Sequence, residues 1–217
     1  MTLNAKDASR RTRDICALAP IVPVLVVEDA ATARPLAEAL VAGGLPALEV
    51  TLRTPAALDA IAAMAEVAGG HVGAGTLITP DDVRAAKRAG ATFGVSPGAT
   101  DALLAACEEE ELPLLPGAAT ASEAMQLLAR GYDMLKFFPA EASGGASALK
   151  AIGAPLPQIT FCPTGGVSPD NAESYLSLPN VLCAGGSWVV PKKLIDAGDW
   201  AGIEALARTA AQLGRAG

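Results

Sequence analysis

MLKFFPA, residues 134–140, is typical of a short buried strand with a lysine at its centre. Large apolar residues fill the segment, Gly131 precedes it and Pro139 lies near its end, and an apolar run bounded in this way favours a strand. An ammonium group there is unfavourable unless it meets a counter-charge, reaches solvent or gives up its proton. An uncharged amine in a dry pocket is the nucleophile that forms a Schiff base with a carbonyl compound. Our hypothesis is that Lys136 does this.

The same alternation of apolar strand and helix runs through the rest of the chain. We predict strands at about 21–27, 47–52, 71–77, 92–96, 112–115, 134–138, 158–162 and 181–184, each followed by a helix. Strands that are apolar on both faces and separated by helices indicate a parallel sheet with covered faces. Eight such units predict an α/β fold of the closed (β/α)₈ TIM barrel type, with an open doubly wound sheet as the structural alternative.

We expect residues 1–217 to form a single domain. An extra N-terminal helix is predicted at about 9–18, capped by Ser9, and the barrel at about 21–213. The three arginines of this first segment, Arg10, Arg11 and Arg13, are interpreted as the exposed side of the helix. A chain of 217 residues that is 51% hydrophobic can bury a large core, and α/β barrels reach this size as one domain.

Composition excludes several classes of partner. The formal net charge is −7 and the basic residues are scattered, so we expect no nucleic-acid partner. The first residues are polar and no apolar run is long enough to span a bilayer, so we expect neither a signal peptide nor a membrane partner. Four cysteines without CxxC spacing predict buried free thiols in a cytoplasmic protein. With His71 the only histidine, at the start of a strand, we expect no metal site.

Polar side chains follow the predicted strands at the end where a barrel carries its chemistry. Glu49, Thr51 and Arg53 occupy alternate positions of the second strand and so share one face. Thr76 follows the third strand and Thr164 the seventh. Together with Lys136, these residues predict a catalytic site rather than a collection of unrelated polar side chains.

Two glycine pairs indicate a phosphate site. Gly165-Gly166 follows the seventh strand, and Gly185-Gly186-Ser187 follows the eighth. Barrels often bind phosphate with these two loops, because glycine lets backbone N–H groups approach an anion. Ordinary turn chemistry is the alternative, since Gly43-Gly44 and Gly69-Gly70 merely end helices. Lys136 and Glu49 have an alternative of their own, a buried ion pair that only satisfies two charges.

Six ordered segments resemble the class I 2-keto-3-deoxy-6-phosphogluconate (KDPG) aldolases, some of which also act as 4-hydroxy-2-oxoglutarate (KHG) aldolases. The segments are LEVTLRT (48–54), GAGT (73–76), SPG (96–98), KFFPAE (136–141), PTGG (163–166) and GGSW (185–188). The resemblance runs in order from about residue 21 to residue 202, which is nearly the whole chain.

The resemblance implies a (β/α)₈ barrel that is a cytoplasmic homotrimer of the Entner–Doudoroff pathway. It implies cleavage of a phosphorylated 2-keto acid to pyruvate and glyceraldehyde 3-phosphate through a Schiff base, with no metal or other cofactor. Lys136 matches the Schiff-base lysine and Glu49 the general acid/base. The substrate contacts that it implies are Arg53, Thr76, Pro97, Phe138 and Thr164, and the phosphate contacts are Gly165, Gly166, Gly186 and Ser187.

Two rival interpretations stay open at this stage. One is a metal-free isomerase or epimerase on sugar phosphates, in which Lys136 and Glu49 only transfer protons. The other is a non-catalytic sugar-phosphate-binding protein, in which these two residues form a structural ion pair.

Overall fold

The computed structural model describes residues 3–214. Its paired strands all run parallel, which confirms the predicted α/β class. Within the described residues the strands are β1 (Ile21–Leu25), β2 (Ala47–Thr51), β3 (His71–Gly75), β4 (Phe93–Val95), β5 (Leu114–Leu115), β6 (Gly117–Ala118), β7 (Met134–Phe137), β8 (Thr160–Pro163) and β9 (Ala184–Gly186).

Helices separate most of these strands and cover the sheet. They are α1 (Ala5–Cys16), α2 (Ala33–Ala42), α3 (Ala57–Ala65), α4 (Pro80–Arg88), α5 (Asp101–Glu109), α6 (Ala121–Arg130), α7 (Gly145–Gly153), α8 (Ala172–Leu176), α9 (Lys192–Asp196) and α10 (Trp200–Ala210), with a 3₁₀ helix (Ala30–Thr32) before α2. Several begin with a sequence-encoded cap. At α6, for example, Thr120 and Glu123 form a reciprocal capping box, and N–H groups of Ala119 and Thr120 that donate to the Glu123 carboxylate hold its pKa below the usual range.

The strands form two parallel sheets that curve around one interior. The larger sheet has the order β5-β4-β3-β2-β1-β9, and the smaller one has the order β6-β7-β8. Pro116 alone separates β5 from β6, so the sheets share one continuous segment. On the other side, isolated parallel bridges join Phe161 to Val181 and Thr164 to Gly185. The two sheets therefore approach each other along both edges and make a curled parallel sheet.

A small apolar cluster fills the interior of the curled sheet. Its buried members are Cys16, Val22, Ala47, Phe93, Val95, Leu115, Met134, Cys162 and Cys183. A strand turns alternate side chains to the same face, so Glu49 and Lys136 share a face with Ala47 and Met134 and lie one step nearer the carboxyl ends. The interior thus has an apolar layer toward the amino ends of the strands, and the charged pair of Glu49 and Lys136 lies on the carboxyl side of that layer. A larger cluster packs the helices against the outer faces of the strands.

Helix α1 begins four residues earlier than predicted, because Asn4 caps it and Ser9 does not. Ser9 is buried and instead joins the helix to the start of β7. Its hydroxyl donates to Asp133 Oδ1 (2.7 Å) and accepts from the N–H groups of Asp133 (3.0 Å) and Met134 (2.9 Å). The predicted cap was therefore wrong, and the residue anchors the helix to the sheet.

Arg13 also differs from its interpretation as a solvent-exposed residue. Its guanidinium donates to Thr160 Oγ1 (2.7 Å) and to the Asp133 carbonyl (3.1 Å), and it forms an ion pair with the Asp133 carboxylate (3.0 Å). Arg10 pairs with Asp7 at the surface. Helix α1 therefore lies across the amino ends of β7 and β8, opposite the end that carries Lys136 and Glu49.

Other elements differ in length or were missed. The predicted strand at 112–115 consists of the short β5 and is followed by β6, which was not predicted, and α9 lies in a segment that was predicted to be a loop. The predicted helix near Ser147 begins at Gly145, and that near Pro169 begins at Ala172. His71 lies at the start of β3, as predicted, and is exposed there.

Candidate active site

Lys136 and Glu49 meet inside the curled sheet. Lys136 Nζ donates to Glu49 Oε1 at 3.2 Å, and the two residues are only 4% and 3% exposed. They reach each other from β7 and β2, which are not neighbours in either sheet, so their contact spans the interior. A buried ion pair of this kind can transfer a proton along its own hydrogen bond, which leaves an uncharged amine beside a carboxylic acid.

Glycines of β3 make room for this pair. A Cβ atom on Gly75 would lie 2.7 Å from Glu49 Cγ and 2.9 Å from Cδ, closer than real side-chain contacts allow. Two residues earlier on β3, a Cβ atom on Gly73 would lie 2.5 Å from the ring of Phe93. The missing side chains therefore let Glu49 and Phe93 fill the interior in front of β3.

Arg53 and Thr76 form the edge of the site nearest solvent. Arg53 lies just beyond β2 and is exposed, and its Nε donates to Thr76 Oγ1 at 3.3 Å. Thr76 has a left-handed backbone (φ 63°), a conformation that costs a residue other than glycine roughly 1–3 kcal/mol. Such strain is common where a side chain must point at a ligand. Thr51, which was predicted to share this face, donates its hydroxyl to the Leu25 carbonyl (2.9 Å).

Phe138 directly follows the lysine strand, and Pro97 lies against the neighbouring strand β6. The ammonium of Lys136 is 5.1 Å from the centre of the Phe138 ring, within range of a cation–π interaction. Pro97 approaches β6 through its carbonyl group, which a Cβ atom on Gly117 would overlap. Gly117 pairs with Lys136 in the sheet, so Pro97 is brought to the strand next to the lysine.

Thr164 joins the lysine strand to the glycine loops. It is buried, forms a parallel bridge with Gly185, and its hydroxyl lies 3.9 Å from Cys162 Sγ. A Cβ atom on Gly185 would lie 2.9 Å from Thr164 Cγ2, so this glycine makes room for the threonine.

Gly165 and Gly166 both have left-handed backbones, with φ values of 101° and 80°, which favour glycine. Gly186 lies beneath the indole ring of Trp188, and Ser187 is exposed after β9. The structure therefore brings the predicted phosphate residues together at the carboxyl ends of β8 and β9, next to Thr164. Ser187 also lines a cavity of about 690 Å³ beside β1, whose other lining residues include Glu28, Lys192 and Asp196 and not Lys136 or Glu49.

Among residues 3–214, no group of three or more His, Cys, Asp or Glu side chains is arranged to hold a metal ion. Within the same range, none of the helices has both the length and the apolar composition needed to cross a membrane.

Sequence reasoning missed the spacing roles of Gly75 and Gly185. The sequence could have indicated these roles, because each glycine lies in a strand or at a strand end, where it faces a predicted site residue on the neighbouring strand. It also missed the contacts of Glu141, which belongs to the KFFPAE segment but received no role.

Comparisons with known proteins agree with this geometry. The sequence model of the family described as KDPG and KHG aldolase matches residues 12–206. The chain is 52% identical to the 2-dehydro-3-deoxy-phosphogluconate aldolase of Pseudoalteromonas atlantica over 211 residues, with 97% of each chain covered.

Two solved structures are similar over nearly their whole length. The 2-keto-3-deoxy-6-phosphogluconate aldolase of Zymomonas mobilis ZM4, solved with 3-phosphoglycerate, has a TM-score of 0.88 and 51% identity, with 94% of this chain and 96% of that chain covered. The KDPG aldolase of Legionella pneumophila, with pyruvate captured as a covalent carbinolamine intermediate, has a TM-score of 0.88 and 47% identity, with 92% and 97% covered. The matched profile and the level of identity show that the chain belongs to the KDPG and KHG aldolase family.

Proposed function

We propose that this chain is a class I aldolase that cleaves 2-dehydro-3-deoxy-6-phosphogluconate to pyruvate and glyceraldehyde 3-phosphate. The same site would cleave 4-hydroxy-2-oxoglutarate to pyruvate and glyoxylate. The observation that carries the proposal is the buried contact of Lys136 Nζ with Glu49 Oε1, at the end of the strands where the glycine loops also lie. Relatives that bear the name of this activity, at about half identity over nearly the whole chain, support it.

The reaction begins when the uncharged amine of Lys136 attacks the keto carbon of the substrate. Glu49, which holds the proton given up by the Lys136 ammonium, passes it to the keto oxygen as the carbinolamine forms. Glu49 then takes a proton from the attached nitrogen and gives it to the carbinolamine hydroxyl, which leaves as water and gives an iminium. The bond between C3 and C4 then breaks as the C4 hydroxyl loses its proton to the Glu49 carboxylate. The electron pair of that bond moves toward the iminium, so an enamine of pyruvate remains and the aldehyde departs. Protonation of the enamine and addition of water release pyruvate and restore the amine.

The other site residues bind and orient the substrate. Arg53 suits the carboxylate, because its planar fork can contact both oxygens, and Thr76 and Thr164 supply hydroxyl groups on either side. Phe138 and Pro97 are the apolar walls. The loops of Gly165, Gly166, Gly186 and Ser187 hold the phosphate, so that binding energy from the remote end aligns the bond that breaks. The iminium is the electron sink, so the proposed reaction needs no metal or cofactor.

The proposal extends to the architecture. The continuous segment from β5 to β6 and the bridges of β8 to the β9 region support a closed (β/α)₈ barrel with α1 at its amino end. We further propose a single-domain, cytoplasmic homotrimer that serves the Entner–Doudoroff pathway. Val26 and Ile78, which are 46% and 60% exposed, are large apolar side chains that an assembly would cover, and sedimentation measurements test the trimer.

The test is reductive trapping. Borohydride added with pyruvate should attach the three-carbon unit to Lys136, as peptide mass spectrometry will show, and Lys136→Met should remove both trapping and pyruvate release. Lys150→Met, at an exposed lysine of α7, is the matched control and should change neither. An unmodified Lys136 in a folded, pyruvate-releasing enzyme would contradict the covalent mechanism.

A coupled lactate dehydrogenase assay separates the rival functions. An isomerase or epimerase would convert a sugar phosphate without releasing pyruvate, and a binding protein would release none from any substrate. Neither would be trapped at Lys136.

A further inference from the structure

Two loops of the proposed phosphate end are joined through backbone hydrogen bonds. The loop after β7 contains Ala140 and Glu141, and the loop after β8 contains Thr164 and Gly165. The N–H of Ala140 donates to the Thr164 carbonyl (2.8 Å), and the N–H of Glu141 donates to the Gly165 carbonyl (3.0 Å). Glu141 therefore continues the pairing of the lysine strand into the glycine loop.

The side chain of Glu141 then spans this glycine loop. A Cβ atom on Gly166 would lie 2.6 Å from Glu141 Cγ, so the aliphatic part of Glu141 lies directly against the glycine backbone. Beyond that contact, the Glu141 carboxylate accepts a hydrogen bond from the hydroxyl of Tyr175. Tyr175 is fully buried on α8, the helix into which the same loop leads.

Asn171 holds the loop from the other side. Its Nδ2 donates to the Gly166 carbonyl (3.0 Å), and its Oδ1 accepts from the N–H of Ser168 (2.8 Å). The loop is thus held by its own end at Asn171 and by the Glu141–Tyr175 pair across it. Both glycines have left-handed backbones and no side chains of their own, so these contacts, together with the backbone hydrogen bonds to the Thr164 and Gly165 carbonyls, restrict the directions in which their N–H groups point.

We propose that Glu141 and Tyr175 are positioning residues that hold the Gly165-Gly166 loop ready for the phosphate group of the substrate. This inference rests on the proposed function. The physical reason is that a loop that is already ordered loses little further entropy when it binds an anion. The hydroxyl of Tyr175 also occupies the Glu141 carboxylate, which would otherwise be an unpaired negative charge beside a phosphate site. Lys136 and Glu49 lie on strands, so loss of the pair should affect the phosphate end and spare Schiff-base formation.

The decisive variant is Tyr175→Phe, which removes one hydroxyl and keeps the buried ring. We expect KM for the phosphorylated substrate to rise about tenfold, equivalent to about 1.4 kcal/mol. KM for 4-hydroxy-2-oxoglutarate, which has no phosphate, should stay within twofold of the wild-type value, and borohydride trapping with pyruvate should be unchanged. Glu141→Ala should also raise KM for the phosphorylated substrate, and adding Tyr175→Phe to it should cause little further loss, because the hydrogen bond of the hydroxyl to Glu141 is already absent. Glu141→Gln keeps an acceptor oxygen and should restore most of the affinity.

Tyr132→Phe is the matched control. Tyr132 is also fully buried, and its hydroxyl also donates to a carboxylate, that of Glu108 (3.3 Å), at a distance from both loops. It should lower thermal stability without changing the ratio of the two KM values. The proposal is overturned if Tyr175→Phe raises both KM values equally, if it changes neither, or if Tyr132→Phe produces the same selective loss.

Calorimetric titration with inorganic phosphate makes the inference independent of the aldolase reaction. Weaker phosphate binding by Tyr175→Phe than by the wild type supports the pair, whether or not pyruvate is released. Equal binding, or no phosphate binding by the wild type, overturns it. Failure of the wild type to release pyruvate, with phosphate binding intact and sensitive to Tyr175, would instead overturn the proposed function alone.

Discussion

The backbone of Gly75 lies so close to the carboxyl group of Glu49 that a Cβ atom there would be 2.9 Å from Cδ. Gly75→Ala should therefore push the carboxylate away from Lys136 and lower kcat by about 10- to 100-fold, a loss of about 1.4–2.7 kcal/mol in transition-state stabilisation. Steady-state pyruvate release, measured beside far-UV circular dichroism, checks this.

Gly70→Ala is the control for this glycine. Its Cβ atom would make ordinary contacts of 3.4 Å with Val41 and Val67, away from the site. Normal kcat in Gly75→Ala would show that Glu49 moves without consequence.

Glu49→Gln should separate binding from turnover. The amide keeps the size of the side chain but cannot accept the proton of the Lys136 amine, so kcat should fall by about 10²–10⁴-fold. Pyruvate should still bind, as equilibrium titration would show. Glu38→Gln, at an exposed glutamate of α2, is the control and should be neutral. A Glu49→Gln enzyme with wild-type turnover would remove Glu49 from the mechanism.

Asp133 should make stability depend on acid pH. Burial raises the pKa of this carboxyl, but hydrogen bonds from Ser9 and Arg13 lower it more, so its pKa lies below the usual value of 3.8. The stabilisation is present above about pH 4 and is lost as pH falls through the folded-state pKa. Because the side chain is 47% exposed, we expect the Asp133 charge to contribute only about 0.5–1 kcal/mol to the free energy of unfolding.

Chemical denaturation of Asp133→Asn at several pH values measures this effect. The variant should be less stable than the wild type at pH 7, and the difference should shrink toward pH 3. Asp14→Asn, at an exposed position of α1, is the control and should leave the stability at pH 7 unchanged. A difference that stays constant with pH would mean that the Asp133 charge does not contribute.

The four cysteines should be unreactive in the folded protein. All are free and buried, as predicted, and burial together with the charge of Glu108 raises the pKa of Cys107 to about 12. Contacts with the thiols of Cys16 and Cys162, together with burial, raise the pKa of Cys183 as well. Since the thiolate is the nucleophile, a thiol reagent at pH 8 should modify almost none of them.

The same reagent in guanidinium chloride should modify all 4 cysteines per chain. Ala68→Cys places a thiol at an exposed position and should add one fast-reacting group, which shows that the reagent is active. Rapid modification of a native cysteine in the wild type would contradict the burial of the four thiols.

The sequence was most informative where an amino acid was unusual for its surroundings. Lys136 and Glu49 stood out because charged residues rarely enter apolar strands, and the structure brings them to within 3.2 Å. The boundaries of the strand–helix alternation were less certain. Strand β6 escaped prediction because Gly117 and Ala118 have low strand propensity and follow Pro116.

Contacts between distant residues could not be obtained from local patterns. Ser9 has the composition of a helix cap, yet its partner lies 124 residues away at Asp133. Tyr175 and Glu141 look like ordinary helix and loop residues, and only the folded chain shows that they meet across Gly166. Local propensity describes a segment, whereas these contacts depend on how the segments are brought together.

The Ser9 hydroxyl accepts a hydrogen bond from the N–H of Met134, and Lys136, the proposed Schiff-base residue, lies two positions further along the same strand. The first helix is therefore hydrogen-bonded directly to the strand that carries Lys136, although it lies at the opposite end of that strand. Shortened versions made for biocatalysis should retain the segment from Leu3 onward. An immobilisation tether attached to this helix would first displace the strand that carries Lys136.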